Sequence, residues 1–153
     1  MKFDEVDAKI LDMLQTNSQL TLKELSTSLN LSISPVVERI KKMERSGVIS
    51  KYVALLNIEK TGASQIIFCH ISLPSYSPSI STFKDIIQSS EEVIECYHLA
   101  GNIDYQLKIL VKDIASYDEF LKKIAKIPKL KVRFSSVVLH KEKFTTKVPI
   151  KLS

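Results

Sequence analysis

Cysteine, glycine and histidine are all scarce in this chain, and each scarcity closes off a class of function. Its 153 residues include two cysteines, three glycines and three histidines. Two cysteines cannot form a disulfide framework, and Cys69 and Cys96 have no CxxC spacing or histidine-rich company that would hold zinc. Both lie in apolar runs, where a free cysteine packs as a small hydrophobe. No glycine-rich phosphate loop and no Ser-His-Asp order is present, so the common constellations of catalysis are missing, and no metal or cofactor is called for. No apolar run reaches the roughly 18 residues of a membrane span. The opening MKFDEVDAKILDML has early acids and no basic start or small-residue cleavage site, which predicts a cytoplasmic protein.

What is present is ordinary for a soluble globular chain: 44% hydrophobic and 25% charged residues, enough for a real core. The length allows one medium domain or two small ones. The net charge is +5 and the isoelectric point about 9.1, which suits an anionic partner without requiring one. Residues 1–60 carry nine Lys/Arg against eight Asp/Glu, and the remainder thirteen against nine. Any nucleic-acid footprint must therefore be a local stripe.

The first fifty residues read as three helices. Val6, Ile10, Met13 and Leu14 recur at helical spacing, with acids in the first turn where the helix dipole favours them. Thr21 and Glu24 form a capping box, with Leu22, Leu25 and Leu29 on one face of a short helix that ends near Asn30. Ser34-Pro35 then reads as an N-cap and first-turn proline, with Val36, Ile40 and Met43 inward and Gly47 just past the end. The outer face of this third helix carries Arg39, Lys41, Lys42 and Arg45. Two helices joined by a turn, the second basic, are the layout of a helix-turn-helix that enters the major groove. Ser32 and Ser34 at the helix start can donate to phosphates. The competing reading is a solvated face, with Glu38 and Glu44 pairing along the helix. VISKYVALL reads as a strand leading out of this module.

Beyond residue 64 the pattern changes to strands and helices in turn. IIFCHISL (66–73) is a strand, and Ser77-Pro78 opens a helix with Ile80, Phe83, Ile86 and Ile87. VIECYHLA (93–100) and YQLKILV (105–111) are strands joined by a turn at Gly101. Asp113 caps a helix with Tyr117, Phe120, Leu121 and Ile124, stopped by Pro128, and VRFSSVVLH (132–140) closes the series. The order β-α-β-β-α-β is the ferredoxin-like split βαβ arrangement, with spatial strand order 4-1-3-2. Cys69 and Cys96 then lie on strands that are not neighbours. Helices cover one face of such a sheet, yet Ile66, Phe68 and His70 make the second face apolar too, which predicts that two copies pack through it. The expected organisation is a DNA-binding domain at 1–50, a strand linker at 51–64 and a second domain at 65–153.

Three stretches together resemble the Lrp/AsnC family of transcription regulators. They are DEVDAKILDMLQTNSQLTLKELSTSLNLSISPVVERIKKMERSGVISKYVALLN, LAGNIDYQLKILVKDIASYDEFL and the closing SSVVL, and they span almost the whole chain. The resemblance implies an α+β protein: an N-terminal winged helix-turn-helix followed by a ferredoxin-like βαββαβ domain that dimerises through its sheet. It implies a sequence-specific regulator that binds double-stranded promoter DNA as a homodimer, often built into octamers, and responds to a small-molecule effector, an amino acid or a relative of one. Ser32, Ser34, Pro35, Val36, Glu38, Arg39 and Lys42 match the positions that present the recognition helix, and Arg45 continues their basic face. The family's effector loop, usually Gly-Asp-x-Asp before an aromatic or apolar residue, falls on Gly101-Asn102-Ile103-Asp104-Tyr105, with Asn where Asp is usual. Gly101 permits close approach of a carboxylate to backbone N–H groups, Asp104 supplies a counter-charge for an α-amino group, and Leu99, Tyr105 and Ser136 shape the rest of the pocket. Two other readings stay open beside this one: an architectural DNA-binding protein without effector control, and a small-molecule-binding enzyme domain with a helical appendage.

Overall fold

The computed structural model describes residues 3–62, 65–74 and 76–152. The chain divides into two compact units, 1–55 with 143–153, and 56–142.

The first unit is the expected trihelical module: α1 Glu5–Thr16, α2 Leu22–Leu29 and α3 Ile33–Arg45. Local chemistry sets each boundary. Asp4 caps α1 in a reciprocal capping box with Asp7, and Thr21 does the same for α2 with Glu24. Asn30 ends α2 in the left-handed conformation, φ 54°, which asparagine tolerates better than most residues. Gly47 ends α3 at φ +75°. The Val48 N–H there donates to the Met43 carbonyl at 2.9 Å, and the Gly47 N–H to the Glu44 carbonyl at 3.0 Å, the paired bonds of a Schellman cap. Ile10, Leu25, Val36 and Met43 are almost wholly buried and join the three helices.

Three expectations change here. The N-cap of α3 is Ser32, and Pro35 sits on the third helical residue, still within the first turn, where its missing N–H costs nothing. Among the described residues, 51–57 form neither helix nor paired strand. A strand needs a ladder partner, and Val53, Leu55 and Leu56 are 60%, 63% and 71% exposed. Residues 143–153 group with the helices, although the sequence suggested that they extend the second domain. The Gln15 side chain both donates to the Val148 carbonyl and accepts from its N–H, Lys147 pairs with Asp12 at 2.6 Å, and Ile150 packs on the helical core.

The second unit is a four-stranded antiparallel sheet with two helices: β1 Gln65–Ser72, α4 Ile80–Ser89, β2 Val93–His98, β3 Tyr105–Val111, α5 Ile114–Ile124 and β4 Lys131–Val137. The spatial order β2-β3-β1-β4 is the split βαβ order expected. Asp113 caps α5 by accepting from the Ser116 N–H at 2.8 Å. The helix-covered face buries Ile67, Cys69, Ile71, Leu107 and Ile109 against Phe83, Phe120 and Ile124. Cys69 and Cys96 both stand opposite Leu107, one on either side of it, and both are free thiols.

The other face carries Phe68 and His70 from β1. His70 stacks on Phe134 of β4 at 4.1 Å between ring centroids and lies 3.2 Å from Gln106 Oε1. Lys108 pairs there with Glu95 at 2.6 Å. Alternation along β1 is strict, with Ile67, Cys69 and Ile71 buried and their neighbours only half-buried. One face is thus a finished core. The other sets Phe68, His70 and Phe134 among Lys108, Glu95 and Ser136 and is left open in the single chain.

Candidate DNA-binding surface and effector loop

The outward face of α3 is set by its inward one. Because Val36 and Met43 are buried in the core, residues a half-turn away must face water. Ser34, Pro35, Glu38, Lys41, Lys42 and Arg45 are all exposed along that side. Val36 itself is fully buried, so its part is to seat the helix from within, and the expectation that it lies on the contact surface is corrected. Among the described residues no ion pair joins Lys41, Lys42 or Arg45 to a carboxylate. Glu44 instead accepts from the Tyr52 hydroxyl at 3.0 Å, and burial followed by this bond pushes the Tyr52 phenol up to about 12. The pairing of glutamates with basic residues along the helix, which would have made this face merely solvated, is not formed. Ser32 makes no side-chain capping bond and is exposed. The start of α3 therefore presents backbone N–H groups and two serine hydroxyls, a favourable end for phosphate.

Arg39 is placed differently. Its Nη1 reaches Asp4 Oδ2 and Asp7 Oδ1, each at 2.7 Å, and its side chain is 32% exposed. These two hydrogen bonds, that to Asp7 first, raise the guanidinium's pKa. Asp4 is held below the usual carboxylate range by the Asp7 N–H and then by Arg39. Arg39 thus ties α3 to the first turn of α1 and is a positioning residue for the basic face. Arg39→Ala leaves the nearly buried Asp7 carboxylate without its cation. Discounted for partial exposure, the expected loss is about 1–2 kcal/mol of stability in the helical unit, read as a lower urea midpoint. The salt dependence of DNA binding should stay close to parental. A fall of that slope by about one would instead make Arg39 a phosphate contact.

In the second unit the β2–β3 connection runs from residue 99 to 104 and closes where the Leu99 N–H donates to the Asp104 carbonyl at 2.8 Å. Gly101 has φ +149°, a conformation L side chains rarely adopt, and a Cβ there would meet nothing within 4 Å. The glycine is required by the backbone, not by crowding. Asp104 ties this loop to the end of β1. Its N–H donates to the Ile71 carbonyl at 3.0 Å, and its Oδ2 accepts from the Leu73 N–H at 2.6 Å and the Ser72 hydroxyl at 3.0 Å. The same end of β1 pairs with the start of β4, Ser72 standing opposite Lys131. The loop tip and β4 are thereby brought to one open cleft of about 550 Å³, lined by Asn102, Ile103, Lys131, Val132, Arg133 and Phe134.

Of the expected effector residues, the structure brings Asn102 to this cleft and leaves others out. Tyr105 is buried on the helix side, its ring 4.7 Å from both Phe83 and His98, so it is part of the core that supports the loop. Ser136 stands opposite Phe68 near the middle of the sheet, away from the loop within one chain. Leu99 is half-buried at the loop's first residue. Lys131 and Arg133 were not singled out from the sequence. In KLKVRF nothing but the fold places them beside a loop some thirty residues earlier.

A helix-turn-helix with a basic outward helix, followed by a split βαβ domain with a loop-edged cleft, defines a two-domain DNA-binding regulator. Comparison with known proteins makes the assignment narrower. Residues 3–50 match the winged helix-turn-helix DNA-binding model, and residues 66–148 match that of the Lrp/AsnC ligand binding domain. The chain belongs to the Lrp/AsnC family of transcriptional regulators. It is 37% identical over 150 residues to the glutamate uptake regulatory protein of Zymomonas mobilis subsp. mobilis, covering 97% of this chain and 92% of that one. It is 33% identical to the leucine-responsive regulatory protein of Escherichia coli (strain K12), with the same coverage. In three dimensions it resembles a Neisseria meningitidis transcriptional regulator solved with L-methionine. The TM-score is 0.88 at 31% identity, covering 96% of each chain.

Proposed function

We propose that this regulator reads promoter DNA with the outward face of α3 and that an amino acid bound beside the Gly101 loop adjusts the binding. One observation carries the DNA assignment: Lys41, Lys42 and Arg45 are exposed on one helix face and, among the described residues, make no ion pair, and the N-terminal end of that face offers exposed serine hydroxyls. Phosphate contacts from such residues fix the register, and Ser34 and Glu38, exposed on the same side, carry base readout. Relatives named for leucine and glutamate uptake, and a neighbour holding L-methionine, support an amino acid as effector. The open sheet face supports a homodimer formed through it, which further copies extend toward an octamer. The relatives are regulatory proteins, which supports reading this chain as a cytoplasmic regulator and not as an enzyme; among the described residues no helix is long and apolar enough to cross a membrane.

The role of Asp104 follows from its bonds. Both donors share one oxygen, so the residue holds the loop in place and keeps its second oxygen for a ligand's ammonium. Asp104→Ala releases the loop from β1 and should weaken effector binding at least about tenfold, since a charged acceptor of this kind contributes about 1.5–3 kcal/mol. Asp104→Asn keeps an acceptor for the Leu73 N–H and restores part of the affinity if positioning is the main role. Calorimetry on the parent and both variants with the twenty amino acids checks this. An amino acid that binds all three proteins equally places the effector elsewhere.

A further inference from the structure

The cleft beside the loop has a one-sided charge. Lys131 and Arg133 line it, and among the described residues neither makes an ion pair. Among the described residues its other polar side chain is the neutral amide of Asn102, and none of those lining it is acidic. Asp104 is the nearest carboxylate in sequence, and two donors at the end of β1 already take its Oδ2. The lining therefore offers two cations and an amide donor. A neutral amino acid is a zwitterion with one carboxylate, which leaves one of these cations unmatched, while the ammonium that every amino acid carries falls to the second carboxylate oxygen of Asp104. An amino acid with a second carboxylate matches both cations by charge-assisted bonds, about twice as strong as neutral ones. Asn102 adds a donor where an aspartate would repel that ligand.

We infer that the effector of this chain is an acidic amino acid, its two carboxylates held by Lys131, Arg133 and Asn102. This rests on the reading of the Gly101 loop as the effector site and adds the ligand class. Val132, Ile103 and the half-exposed Phe134 supply only a short apolar wall, which suits a short side chain ending in a charge better than a long aliphatic one.

The test uses pairs of ligands with nearly the same shape and different charge: L-glutamate against L-glutamine, and L-aspartate against L-asparagine, by calorimetry on the full chain. The acidic member of a pair should bind at least about tenfold more tightly at 50 mM salt. Because the cleft is open, that preference should shrink as salt rises. Arg133→Gln and Asn102→Asp should each reduce the acid-to-amide ratio toward one, with circular dichroism confirming that the exposed substitutions leave the fold intact. Amides that bind as tightly as the acids, or more tightly, overturn the inference while leaving the loop as an effector site. If none of the twenty amino acids binds at millimolar concentration, the effector reading itself is wrong and the inference falls with it.

Discussion

Alanine at Lys41, Lys42 and Arg45 together should lower the slope of log affinity against log salt by about three. Each phosphate contact contributes about 0.9 to that slope through release of a counterion from the duplex. If affinity at 1 M salt is unchanged, the same arithmetic weakens binding at 0.1 M by roughly 10²–10³-fold. The three residues are suited to this test because, among the described residues, none is spent on an internal ion pair, and all are exposed. Their removal should leave the core of Ile10, Leu25, Val36 and Met43 untouched. Anisotropy titrations at several salt concentrations measure the slope, and a parental slope in the triple variant would make the face a solvated surface. Arg39 is excluded from the set because its charge is already matched by Asp4 and Asp7.

The second large effect is on assembly. Phe68 sits mid-strand on the open sheet face, with Lys108 opposite on one side and Ser136 on the other. An acidic residue here would meet Lys108, so lysine is the more disruptive choice. Phe68→Lys places a second cation against Lys108 in a surface that pairing would close off from water. An unmatched buried charge costs about 3 kcal/mol or more, which raises the dimer dissociation constant by more than about 10²-fold. Sedimentation at micromolar concentration should show a dimer or larger species for the parent and a monomer for Phe68→Lys. A monomeric parent would contradict the sheet-face interface, as would a Phe68→Lys protein that still dimerises.

The sequence was most legible where one local rule decided the outcome. Thr21 with Glu24, Asn30, Gly47 and Asp113 mark helix ends by their own chemistry, and the structure places all four as expected. Period-two patterning along residues 66–72 separated the two sheet faces, and the order of elements led to the strand order. Legibility failed where a residue's role depends on a distant partner. Arg39 looks like its basic neighbours until the fold sets Asp4 and Asp7 beside it. Tyr105 matches an effector motif, yet strand alternation turns its ring into the core. The apolar VALL at 53–56 has the composition of a strand but has no ladder partner among the described residues of this chain. Lys131 and Arg133 gain their interest from β1, which carries the Asp104 anchor and the start of β4 on the same end.

Sequence-selective binding is the claim on which the rest depends. The most direct test is to enrich duplexes from a random pool on the full-length protein, then compare affinity for an enriched duplex with that for an unselected one at the same physiological salt. A regulator that reads bases from α3 should bind the enriched duplex about 10³-fold or more tightly, and an amino acid should change that ratio. Equal affinity for both duplexes, with the steep salt dependence retained, would contradict the account and make the protein an architectural DNA binder.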